Sequence, residues 1–161
     1  MQQFKQVSLY LAIFFWAMIV GGIVYSHIVY FPAYLTHLPA SNQLISGEYG
    51  LHDENFWMFI HPVTMALTIT TLVLNWRSKQ RRTFILITTG IYAFVIFFTA
   101  IYFVPELQAF AKSTGTSATV SELFERGQTW QHRSWIRGSF MLTGFIMLLV
   151  ALQRGNKLKA S

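Results

Sequence analysis

Trp130-Gln-His-Arg-Ser-Trp-Ile-Arg-Gly-Ser-Phe-Met-Leu-Thr-Gly-Phe-Ile-Met-Leu-Leu-Val-Ala-Leu152 starts with charge and ends in hydrocarbon. Two arginines, a histidine and two tryptophans stand where a helix would enter a bilayer. A charged side chain at the bilayer centre costs roughly 2.5–3.5 kcal/mol on the lenient insertion scale, less near the interface where it can snorkel to water. Arg137 lies five residues past His132, which at ~1.5 Å per residue puts it ~7 Å deeper. A guanidinium at that depth either snorkels or meets a partner inside a bundle.

Working outward, the chain has 161 residues, enough for a single domain (1–161). Hydrophobic residues make up 53% and charged residues 11%, against about 25% charged in an ordinary soluble protein. Several long apolar runs make an integral membrane protein the expected class. The net charge of +6 raises nucleic-acid binding. The basic residues flank apolar runs instead of forming an arginine stripe with interleaved aromatics, so no nucleic-acid partner is expected. Cysteine is absent, which excludes disulfides, thiolate metal sites and a cysteine nucleophile.

Residues 9–31 are apolar apart from Ser26 and His27. The run is too long for a signal peptide, contains Trp16 and Gly21-Gly22, and lacks a small-x-small cleavage site, so it reads as a first span. Pro32 is expected to end or kink it. A polar loop follows, with a short interfacial helix near 40–45. Asp53-Glu54 suits the start of a second helix, with Trp57 and Trp76 as interfacial anchors and Pro62 as a kink. Residues 77–82, Arg-Ser-Lys-Gln-Arg-Arg, form a basic turn, and Pro105 is expected to stop the third helix. The loop that follows is Gly/Ser/Thr-rich from Lys112. Thr119-Val-Ser-Glu122 fits a capping box opening the fourth helix. The reading is an all-α, up-down-up-down transmembrane bundle with helices about 8–31, 54–76, 83–104 and 120–152.

Charge orients the bundle. Lys5, the four basic residues of the 77–82 turn, and Arg154, Lys157 and Lys159 of the tail fall on one face. All six acidic residues fall on the other, with Lys112, Arg126, Arg133 and Arg137. The positive-inside rule makes both termini cytoplasmic, in a membrane taken to be the bacterial inner membrane.

Ionisable side chains inside apolar runs gather in the outer third: His27, His61 and Arg137, with Thr99 and Tyr102 on the third helix and Glu106 just beyond Pro105. Glu54 and His61 lie at i and i+7, Trp130, Arg133 and Arg137 at i, i+3 and i+7, and Tyr92, Val95, Thr99, Tyr102 and Glu106 keep the same rhythm. Inward faces of this kind would form an aromatic-lined cup open to the outside. Intramembrane ionisable groups are rare and usually face an interior. The blander reading of each is an interfacial anchor or, for Arg137, a pair with Glu54 or Glu106 that ties helices together. His37 and His52 belong to the outer loop, outside the expected site.

Imidazole with carboxylate suits transition metals, so His27, His61, Glu54 and His132 form a candidate metal set. Haem would need one or two axial imidazoles, which His61 with His27 or His132 would supply. No Gly-rich phosphate loop and no Ser-His-Asp order is present.

Trp130, Ser134 and Arg137 are similar to a fourth-helix motif Trp-x-x-x-Asn-x-x-Arg, with serine where the motif has asparagine. Phe103-Val-Pro-Glu-Leu107 keeps Val104 and Pro105 of an Asn-Val-Pro-Leu-Asn box, and Pro32 follows the first helix. On these residues the chain resembles the anthrone-oxygenase-like family of small four-helix membrane proteins. The resemblance implies oxidation of a small lipophilic aromatic, polyketide-like molecule with molecular oxygen and no required cofactor. In that chemistry His61 would be the general base and Arg137 would stabilise an enolate or phenolate. Trp130, Tyr102 and Trp57 would stack on the substrate rings, with Arg133 and Glu106 completing its binding surface. Two other readings stay open: a haem or metal protein, and a non-catalytic membrane subunit or assembly factor. The last would present Gly21-Gly22 and Gly138/Gly144 to another chain, or to a second copy in a homo-oligomer.

Overall fold

The computed structural model describes residues 2–111 and 119–157. Among them it contains helix and turn and no strand. α1 (Gln2–Tyr25), a π-helical turn (Ser26–Tyr30) and α2 (Phe31–Thr36) form one rod. A 3₁₀ turn (Ala40–Asn42) and α3 (Gln43–Ser46) stand where a short helix near 40–45 is expected. α4 (Glu54–Leu74) is the second rod; α5 (Lys79–Phe98), a second π turn (Thr99–Phe103) and α6 (Val104–Ala111) are the third; α7 (Val120–Lys157) is the fourth. Four stretches, Gln2–Thr36, Glu54–Leu74, Lys79–Ala109 and Val120–Arg154, are long and apolar enough to cross a membrane. The Lys112 loop and the tail at Lys159 lie outside the described residues.

The capping box forms as the local pattern requires. The Thr119 backbone N–H donates to Glu122 Oε2 at 2.7 Å, and the Glu122 N–H donates to Thr119 Oγ1 at 3.3 Å. The expected stop at Pro105 is not made, and of the two outcomes expected at Pro32, an end or a kink, the end is excluded. Pro32 does not end the first rod and Pro105 does not stop the third; helix continues to Thr36 and Ala111. A five-residue π turn precedes each proline, absorbing the donor that the proline lacks. Ser26-x-Ile-x-Tyr-x-Pro32 recurs as Thr99-x-Ile-x-Phe-x-Pro105, a local internal repeat. In the first copy the Phe31 N–H reaches back to the Ser26 carbonyl. The π partner of the His27 carbonyl would be the N–H of residue 32, which is proline. That orphan carbonyl is served from α7, by Gln131 Nε2 at 3.2 Å. The neighbouring Trp130 donates its indole N–H to the Phe103 carbonyl in the second copy, at 3.0 Å.

Gln131→Leu should therefore cost ~1–3 kcal/mol, the cost of a buried polar group left unpaired. Pro32→Ala restores a backbone N–H at the π position and should recover much of that loss. A double-mutant cycle of denaturation in detergent measures the coupling. Additive effects would show that the proline does not create the orphan.

The first rod packs on α4 and α7, and α7 packs most extensively on α5. Trp16, Ile19, Ile60, Ile85, Tyr92, Met141 and Leu148 form the buried centre. A second cluster of Phe31, Tyr34, Leu35, Phe103, Leu123 and Trp130 closes the end of the bundle opposite the 77–82 turn. Small residues set the close approaches. A Cβ on Gly144 would sit 2.6 Å from the Trp16 ring, one on Gly138 3.0 Å from Ile23, and one on Gly22 2.9 Å from Phe56. These glycines are used within the chain; only Gly21 of the four has open space around it.

Along α4, Thr64, Thr68, Thr71 and Asn75 continue the His61 face and are fully buried. Thr64 donates to the Ile60 carbonyl (2.7 Å), Thr68 to the Thr64 carbonyl (2.7 Å) and Thr71 to the Ser8 carbonyl (3.0 Å). Trp16 adds its indole N–H to Thr68 Oγ1 at 3.0 Å.

Candidate functional site

The residues singled out from the sequence separate into two groups, one deep and one at the rim. The deep group is built on His61, His27 and Arg137. Tyr92, fully buried on α5, donates its phenol proton to the His61 carbonyl at 3.1 Å. His61 Nδ1 lies 2.9 Å from the Tyr92 hydroxyl oxygen. Trp57 stacks on the imidazole at 5.5 Å with 24° between the planes. Tyr92 is in turn held by Trp16, with ring centroids 5.1 Å apart. The direction of the His61 ring is thus set by a buried network reaching three rods.

Arg137 is half-buried and has no carboxylate partner among the described residues. Its Nη2 donates to Ser134 Oγ at 2.8 Å and its Nη1 to Thr99 Oγ1 at 3.2 Å. The guanidinium lies over the Phe103 ring, 4.3 Å from its centroid. The expected pairs with Glu54 and Glu106 are not formed, because each carboxylate is taken nearer the surface. Glu54 reaches back to His52 at 3.0 Å, and Glu106 accepts from Arg126 Nη2 at 2.8 Å and Nε at 3.1 Å. Arg137 is within electrostatic reach of both His27 and His61. His27, 3% exposed, holds the Ile23 carbonyl with Nδ1 at 2.7 Å and packs against Trp135 at 4.5 Å.

The rim group lines a cleft of about 350 Å³ formed by Tyr102, Glu106, Glu125, Arg126, Thr129 and Arg133. Arg133 Nη1 donates to Tyr102 Oη at 2.8 Å. Trp130 belongs to neither group. It is 4% exposed and wedged between Phe31 and Phe103, so it closes the bundle instead of stacking on a ligand.

The metal set is not assembled. Among the described residues no three His, Asp or Glu side chains gather as a metal site. His132 is exposed and Glu54 is turned to the loop, leaving His27 and His61 as the interior imidazoles. Tyr92, Ser134 and Thr99 hold the deep group, though none drew a catalytic or binding role from the sequence. The signal available was a tyrosine and a threonine in register with His61 and Arg137 on the facing span.

Asp53, just ahead of α4, accepts the Trp57 indole N–H at 3.1 Å. Burial raises its carboxyl from the ordinary value, opposed by that hydrogen bond. A raised carboxyl holds its proton longer in the folded chain, so stability falls as pH rises through the raised titration. Asp53→Asn should melt higher than wild type at neutral pH, with the difference fading on acidification. A difference that grows on acidification would show the opposite sign.

No protein-family model, curated protein or solved structure matches the chain.

Proposed function

We propose that the chain is an up-down-up-down bundle of a bacterial inner membrane, both termini cytoplasmic, that binds a small lipophilic aromatic acid at its outer end and removes a proton from it. The carrying observation is Arg137, a guanidinium set within a span against two hydroxyls and a ring, with no carboxylate beside it among the described residues. An uncompensated charge in a water-poor interior costs several kcal/mol, and an anionic ligand oxygen removes that cost. His61 supplies the base: with the Tyr92 hydroxyl against Nδ1, Nε2 is the nitrogen that would take the proton. The anion formed lies under the arginine's field, where fixed charge is worth more than in water.

The oxygenase chemistry implied by the family resemblance extends this reading. A doubly activated methylene, once deprotonated, reacts with molecular oxygen, and methylene plus O₂ gives carbonyl plus water. Ser134 stands where the resembled motif has asparagine and supports Arg137, as a positioning residue would.

Two measurements test the proposal. Oxygen uptake with an anthrone should depend on the detergent-purified protein and fall about 100-fold or more in His61→Gln, the usual worth of general base catalysis; uptake indifferent to His61 overturns the assignment. Because the chain has no cysteine, Tyr49→Cys and Ser78→Cys report sidedness cleanly. A membrane-impermeant thiol reagent added to intact cells should label position 49 and not 78, and the reverse would invert the topology.

A further inference from the structure

We infer that the rim cleft seats the headgroup of an ethanolamine phospholipid, with Arg133 on the phosphate and Glu125 on the primary ammonium. The inference uses neither His61 nor Arg137 and rests only on the chain crossing a bilayer. The cleft holds about 350 Å³, at the small end of ligand pockets. One wall is α7, with Glu125, Thr129 and Arg133 at i, i+4 and i+8 along one face. The other is the third rod, with Tyr102 and Glu106. Part of the charge is already engaged, because Arg126 gives two hydrogen bonds to Glu106. Arg133 is exposed and donates only Nη1, to Tyr102 Oη at 2.8 Å, so Nε and Nη2 are without a partner among the described residues. Glu125 is exposed and enters no ion pair among them. A ligand of a single sign would be drawn by one of these groups and repelled by the other, whereas a zwitterion satisfies both. The order of the groups selects the zwitterion. Ile136 and Phe140 follow Arg133 at i+3 and i+7 and are exposed. On the third rod Phe94 and Phe98 are exposed too, and the Phe94 ring meets that of Phe140 at 5.8 Å. From hydrocarbon toward water, α7 thus presents apolar surface, a cation, a hydroxyl and an anion. An ethanolamine phospholipid in the same direction presents acyl chains, phosphate and ammonium. A glycerol headgroup brings no cation to Glu125, and choline brings a cation with no N–H to donate.

The test is native mass spectrometry of the detergent-purified protein, titrated with dioleoyl phosphatidylethanolamine, phosphatidylcholine or phosphatidylglycerol. The ethanolamine lipid should bind about fivefold tighter than either of the others, the upper worth of an exposed ion pair. In Glu125→Gln the margin over the choline lipid should vanish, and in Arg133→Gln all three lipids should bind more weakly. Both side chains are exposed, so both variants should melt as wild type does, and the wild-type comparison needs neither. Free phosphoethanolamine at the same concentration should leave the bound lipid in place, since it lacks the acyl chains; displacement would overturn the lipid as occupant. Equal affinity for the three lipids in the wild type, or a preference unchanged in Glu125→Gln, overturns the assignment of the cleft.

Discussion

Arg137→Met is expected to abolish capture of an acidic aromatic ligand while leaving the bundle as heat-stable as the parent, or more so. The two effects share one cause. Arg137 is half-buried in a span, and its contacts are Ser134, Thr99 and the Phe103 ring. Removing an uncompensated charge in favour of an apolar side chain of similar length is neutral to about 2 kcal/mol stabilising. The loss of the Ser134 contact offsets part of that gain. A ligand anion, by contrast, loses its charge-assisted hydrogen bonds, and affinity should fall by about 100-fold or more. Melting in detergent and fluorescence quenching measured on the same sample separate the two. A strongly destabilised Arg137→Met would mean that the guanidinium holds helices together, and retained binding would mean that it does not meet the ligand.

Gly144→Leu should have the largest effect on folding. A single methyl there already lands 2.6 Å from the Trp16 ring. Trp16 is fully buried, bonded to Thr68 and packed on Tyr92. Overpacking one methyl into a dense core costs ~1–3 kcal/mol, and a leucine must expel the indole altogether, for a loss of more than ~3 kcal/mol. Gly144→Ala should fall between, and Gly21→Ala, with open space around it, should melt as wild type does. Because Trp16 braces Tyr92 and Tyr92 braces His61, Gly144→Ala should also weaken ligand binding from a position that touches no ligand. Equal melting of the Gly21 and Gly144 variants would refute the close approach.

Much of this is legible in the chain. The apolar runs mark the four helices long and apolar enough to cross a membrane, because a bilayer-length helix cannot be hidden in composition. The Thr119–Glu122 cap follows from a local rule and forms as written. The expectation that His27, His61 and Arg137 lie at one level comes from their places along the apolar runs. Glu54 does not, because spacing along one helix says which face a residue shares and not whether its first-turn carboxylate bends back to His52. Trp130 looks like a stacking platform by type, but its role depends on the Phe103 carbonyl, a backbone group that no pattern of side chains displays. The prolines mislead for a related reason. Pro32 and Pro105 remove a donor, yet a π turn redistributes the carbonyls and lets the helix pass, and the cue was the recurrence of Ser/Thr-x-Ile-x-Tyr/Phe-x-Pro.

The threonine face of α4 has a consequence for the direction in which charge can travel. Each of those hydroxyls donates to a main-chain carbonyl in a buried seam, so among the described residues these threonines do not hand a hydrogen from one hydroxyl to the next. On the proposed topology, a proton lifted by His61 returns to the compartment the ligand came from. Turnover would then be electrically silent with respect to the membrane potential and would answer to external acidity alone.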